Sequence, residues 1–158
     1  ILVGKETLNQ TGSTDCDALF LNASKIFKNK IQKVQNNCLR FTLNLRKFDH
    51  ITTHRQHFGL LDMDQRRILH SVTLMHKIVK GLAPCYLSNR IKRLSEVHNH
   101  NTRNRLALTI NKNMTAKKSN SFFGSIPKQY NIFSNNTDIS HLTVDTFKST
   151  CKKQLLNT

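Results

Sequence analysis

The stretch from Asp62 to Pro84 constrains the fold more than any other, because it carries both ends of a helix within itself. Asp62 has an N-cap side chain and Gln65 follows three residues later. That spacing is a capping box, in which two side chains satisfy N–H groups that a helix start leaves unpaired. Ile68, Leu69, Val72, Met75, Ile78 and Val79 then recur at the period of one helix face. Gly81 suits the left-handed position just past a last turn, and Pro84 forbids continuation. The sequence therefore predicts a helix over 63–80 with a buried face. Pro84 is in turn placed to open a short helix over 84–94, carrying Tyr86, Leu87, Ile91 and Leu94.

The same period appears upstream. Phe27, Ile31, Val34, Cys38 and Phe41 predict a helix over 22–43, with Ser24 as its N-cap. Lys25, Lys28, Lys33 and Arg40 fall mostly away from that stripe, so the helix is apolar on one side and basic on the other. Two readings stay open: a solvated face on a core helix, or a ridge facing phosphates. Residues 46–53 break the period, and a short helix over 53–58 is expected to end at Gly59.

Downstream, residues 95–105 are polar and read as a loop. RLALTI at 105–110 alternates weakly and reads as one short strand, and residues 111–121 are polar again. Phe122, Phe123, Ile126, Tyr130 and Phe133 are spaced for a helix that must tolerate Pro127, with a turn at 135–137. A last helix is expected over 144–156, with Val144, Phe147, Cys151 and Leu155 on one face. The expected fold is mainly α: a small irregular helical domain of about five helices, long polar loops and one short strand. Its organisation reads as an irregular leader at 1–20, a helical segment at 21–94, and an extension with two further helices at 95–158.

Charge bounds the partners. Lys and Arg number 25 against 9 Asp and Glu, a formal net charge of +16. That excess favours a polyanion, nucleic acid first and an acidic membrane surface second. Hydrophobic residues are only 37% of the chain, so a core is expected to be thin and one apolar face is expected to need a partner. No stretch approaches the ~20 apolar residues of a membrane span. Ile1 rather than Met opens the chain, which reads as a processed product or a fragment. Cys16, Cys38, Cys85 and Cys151 are scattered, without a C-x-x-C pair, and read as reduced intracellular thiols.

Catalytic signatures are sparse. Neither G-x-x-x-x-G-K-[ST] nor G-x-G-x-x-G is present, and no nucleophile-elbow, caspase-like or papain-like local signature occurs. Two D-x-D pairs, Asp15 with Asp17 and Asp62 with Asp64, have the residue type of a two-metal site, and His54 and His57 have a zinc-ligand spacing. Asp62 is already needed as a cap, and no cysteine near the histidines completes a zinc set. What recurs is basic residues beside aromatics or amides: Arg40-Phe41, Arg46-Lys47-Phe48, Gln65-Arg66-Arg67 and Arg103-Asn104-Arg105. Such strings point to nucleic-acid binding by shape and charge, without base readout.

Several strings also occur in one order: KIQKVQNNCLRF (30–41), RKFDHIT (46–52), LDMDQRRILH (61–70), LMHKIVKGLAPCYL (74–87), EVHNHNTRN (96–104) and SFFGSIPKQYN (121–131). Together they resemble the region that follows the polymerase domain in reverse transcriptases of non-LTR retrotransposons, of the jockey-like and related lineages. DCDALF (15–20) is similar to the tail of the segment joining that polymerase domain to this region. The resemblance implies a parent chain with RNA-directed DNA polymerase activity and Mg²⁺ at catalytic aspartates upstream. No [FY]-x-D-D string exists here, so no catalytic residue carries over and no cofactor is expected in this segment. It implies that 21–94 is a thumb-like segment holding template RNA, an RNA–DNA heteroduplex or duplex DNA. Lys30, Lys33, Arg40, Arg46, Lys47, Arg66 and Arg67 match the family's basic strings as phosphate contacts, with Arg103 and Arg105 added from the polar loop. The other expected partner is the polymerase domain of the parent chain, in the nucleus or cytoplasm. Asn111 and Ser134-Asn135 stand where the family commonly keeps prolines, which suggests a decayed or partial element copy.

Two rival expectations remain. In one, the stripe from Phe27 to Phe41 docks on the polymerase body and the charge serves only solubility. In the other, Asp62, Asp64 and His50, His54 and His57 form a small metal-dependent nuclease.

Overall fold

A computed structural model describes residues 19–98, 104–111, 114–136, 139 and 141–157. Among them are eight α-helices, five of them seven residues or longer, and no strand. The mainly helical expectation holds. Arg103, Cys16, and Asp15 with Asp17 lie outside the described residues.

A 3-10 turn at Leu19–Asn22 leads into α1 (Lys25–Thr42), where Ser24 accepts the N–H of Phe27 at 3.3 Å as the expected cap. α2 (Ile51–His57) begins two residues earlier than its sequence pattern indicates, which buries Ile51. α3 (Met63–Val79) carries the full capping box: Asp62 accepts the Gln65 N–H at 2.7 Å and Gln65 accepts the Asp62 N–H at 3.1 Å. Gly59 and Gly81 sit at φ 61° and 72° past α2 and α3, where a left-handed residue lets the next N–H reach back to the last turn.

The helix expected over 84–94 is cut to α4 (Cys85–Ser88). The reason lies in residues 92–95, which hydrogen-bond to 105–109 instead of back to the turn before them. Leu94 N–H donates to Ala107, Ser95 N–H to Arg105, and Thr109 N–H to Lys92, each at 2.9 Å. The strand expected at 105–110 is therefore reduced to a single antiparallel bridge, Arg93 with Leu108. Asn131 replaces the missing neighbour strand: its side chain accepts the Leu108 N–H and donates to the Leu108 carbonyl, both at 2.9 Å.

α5 (Leu94–Val97) and α6 (Ala116–Ser119) are single turns within the polar connections. α7 (Phe122–Asn136) runs through Pro127, which has no N–H to return to Phe123. It also occupies part of the turn expected at 135–137. Gly124 is required where α6 folds against α7, because a Cβ there would collide with the Lys118 and Ser119 carbonyls. α8 (Val144–Leu156) has its expected bounds, with Thr143 accepting the Thr146 N–H.

α3 is the central helix. It packs on α7 and α8, and α1 lies against it more lightly. Leu69, Val72 and Met75 of α3 meet Ile126, Tyr130 and Phe133 of α7 and Phe147, Cys151 and Leu155 of α8. Leu61, Leu108 and Ile139 close the cluster. One core thus joins the 21–94 and 95–158 segments.

Candidate nucleic-acid interface

α1 has three faces rather than the two read from sequence. Lys28, Gln32, Gln35 and Leu39 make the docked face, and Leu39 is the helix's one buried residue. Gln32 accepts the Met63 N–H at 2.8 Å, Gln35 donates to the Leu61 carbonyl at 2.9 Å, and Lys28 donates to the Leu21 carbonyl at 2.9 Å. The apolar stripe, expected to be buried, is turned away from α3. Val34 is 61% exposed and Phe41 91%. Phe20 stacks on Phe27 at 5.6 Å between ring centroids and covers only the start of the stripe. The physical reason is that glutamine side chains adjacent to α3's start satisfy backbone groups of Leu61 and Met63 that apolar side chains cannot.

Beside the stripe runs the third face. At 3.6 residues per turn, Lys30, Lys33 and Arg40 fall within an arc of about 80°. Lys30 and Lys33 are exposed, whereas Arg40 is half-buried and its Nε has no hydrogen-bond partner. Arg46 and Lys47 are exposed in the corner between α1 and α2. α1 contains no carboxylate, and residues 19–60 hold eight Lys and Arg against one, Asp49. That carboxylate accepts the Arg46 N–H at 2.7 Å, which fixes the corner.

The remaining sequence candidates are elsewhere. Arg66 is half-buried on α3 and has a partner within the fold, and Arg105 is exposed and likewise engaged. Arg67 is a correction. It is only 2% exposed, and its guanidinium donates to Asp64 Oδ1 at 2.7 Å. Its position on the buried side of α3 holds it inside the fold, out of reach of a phosphate.

Asp62 caps α3 and lies 3.9 Å from Arg55, and Asp64 pairs with Arg67, so neither carboxylate of this D-x-D is left to converge on an ion. Among the described residues no group of three or more His, Cys, Asp or Glu side chains is arranged to hold a metal. Nor, among them, is any helix long and apolar enough to cross a membrane.

One polar constellation went unread in the sequence. His76 is 1% exposed on α3, stacked on Phe147 at 4.2 Å. Its Nε2 donates to the Leu142 carbonyl at 3.2 Å, which leaves Nδ1 to accept the Tyr130 hydroxyl at 3.0 Å. Burial lowers the His76 pKa, against the Leu142 hydrogen bond, which raises it, and with help from the Lys80 charge. Burial pushes Tyr130 up to about 12, so the phenol stays protonated and donates. Both ring nitrogens of His76 are used, so the imidazole ties α3, α7 and Leu142 together rather than acting on a ligand. Its signal was the placement of His76 among Val72, Met75 and Val79 on an apolar face. Cys151, also raised to about 12 by burial, is an unreactive core thiol.

No family model matches the chain, and neither a curated protein nor a solved structure matches it.

Proposed function

We propose that this chain is the C-terminal, post-polymerase portion of a non-LTR retrotransposon reverse transcriptase. It is non-catalytic itself and holds template RNA or an RNA–DNA heteroduplex through phosphate contacts. The reading is carried by the carboxylate-poor arm at 19–60, with Lys30, Lys33, Arg46 and Lys47 exposed along α1 and its corner. The ordered strings from 30 to 131 supply the family. The polymerase chemistry, and the Mg²⁺ it uses, belong to aspartates outside this sequence; Asp62 and Asp64 do not fit that site, being a helix cap and an ion-pair partner. Such a fragment works inside the cell, in the nucleus or cytoplasm, in keeping with the free thiols of Cys38, Cys85 and Cys151.

Binding of an RNA–DNA heteroduplex across a salt series tests the reading. Four phosphate contacts give a slope of log affinity against log salt of roughly −3 to −4. Changing Lys30, Lys33 and Lys47 together to Glu is expected to lower affinity and flatten that slope. Unchanged binding in a folded triple variant would contradict it.

That result would favour a second reading, supported by the uncovered stripe at Val34 and Phe41. In it, α1 packs on the polymerase body of the parent chain and the charge contributes solubility alone.

A further inference from the structure

We propose that the corner between α1 and α2 is a stacking platform for unpaired bases, so that the arm takes hold of single-stranded nucleic acid beside the duplex. The inference rests on the nucleic-acid reading above and adds a ligand class to it. Two phenyl rings stand in solvent at this corner: Phe41, in the last turn of α1, is 91% exposed, and Phe48 is 87% exposed.

The backbone beneath them is fixed. Leu43 N–H returns to Leu39 at 3.0 Å and Leu45 N–H to Arg40 at 2.9 Å, around Asn44 at φ 52°. Asp49 N–H donates to the Arg46 carbonyl at 3.1 Å, and the Asp49 side chain holds the Arg46 N–H. Ile51 buries the far end of the corner. The rings are therefore presented by a braced turn.

Their surroundings select the ligand. Lys47 Nζ lies 5.6 Å from the centroid of the Phe48 ring, Arg46 precedes it, and Arg40 adjoins Phe41. Asp49, the sole carboxylate of the arm, is already spent on the Arg46 N–H. Aromatic faces interleaved with cations are what a flexible nucleic-acid strand needs, since bases stack on rings while phosphates meet Lys and Arg. A duplex does not offer this fit. Its base faces are already stacked on one another, leaving edges and phosphates outward, so a solvent-facing phenyl gains nothing from it. An unpaired template base offers its π-face.

The chain contains no Trp, so Phe48→Trp, or Phe41→Trp in a separate variant, introduces a lone indole reporter. Each variant is titrated with an unstructured oligouridylate and with a short RNA–DNA heteroduplex. Binding is followed in parallel by anisotropy of the labelled nucleic acid. Stacking is expected to quench the indole with the single strand and leave it unchanged with the duplex. In the Phe41→Ala, Phe48→Ala double variant, single-strand affinity is expected to fall about 5- to 150-fold per base unstacked, with duplex affinity kept. Binding by anisotropy with an unquenched indole and an unaffected double variant overturns the platform but leaves the phosphate-binding reading standing. No binding of either nucleic acid overturns both. An indole that ignores the oligouridylate but shifts to the blue on phosphatidylserine vesicles overturns the platform in favour of a membrane surface.

Discussion

α3, α7 and α8 meet through side chains that lose their water altogether, among them Val72, Met75 and Phe147. α1 is tied to the start of α3 by glutamine hydrogen bonds to Leu61 and Met63, and buries a single leucine of its own, Leu39. The first region holds the domain together by apolar burial, which is the larger and less directional force. The second is positioned by directed bonds of about 1 kcal/mol each, and keeps its apolar and basic faces outside. A helix attached in that way is free to spend its surface on a ligand.

The contrast is sharpest for paired truncations. Phe147→Ala removes a fully buried ring and is expected to cost about 3–5 kcal/mol in denaturant unfolding. Val34→Ala, in the stripe, is expected to stay within about 0.5 kcal/mol of the parent. A comparable loss at Val34 would mean that the stripe is packed in solution. Between these extremes, Asn131→Ala strands the N–H and carbonyl of the buried Leu108, with an expected loss of about 1–3 kcal/mol. A neutral result would show that residues 92–95 alone hold the 104–110 segment.

The smallest effect is expected from pH, and it acts on the core region. His76 has an ordinary pKa of 6.5 in the unfolded chain and a lower one when folded. Below 6.5 the unfolded chain therefore binds the extra proton first, and stability falls as pH falls towards the folded value. Its contribution is complete above about 6.5. Urea unfolding at pH 7.5 and 5.5 checks the sign; greater stability at the lower pH would contradict a buried neutral imidazole.

Legibility in the sequence followed the range of the interactions. α3 and α8 were readable to within a residue because Asp62, Gln65, Gly81 and Thr143 act on their own helix ends. The apolar period of α1 was also correct, yet the period says which side of a helix is apolar and not which side the fold covers. Gln32 and Gln35 dock it through partners 31 and 26 residues away, which no local pattern contains. Residues 105–110 alternate as a strand does, but Leu108 pairs with a side chain of α7 in place of a second strand. Arg67 belongs to a basic string, and only the turn of α3 sends it inward while Arg66 remains half-exposed. Of the candidate site, the four exposed cations of the arm were legible, and the outward phenyls at 41 and 48 were legible only as neighbours of charge.

Backbone hydrogen exchange with and without an RNA–DNA heteroduplex tests the division between core and arm most directly. At low salt, exchange is expected to slow across residues 25–58 when the heteroduplex is added, with α8 unchanged. Slowing confined to α7 and α8, or none anywhere at saturating ligand, would contradict an arm built to hold nucleic acid.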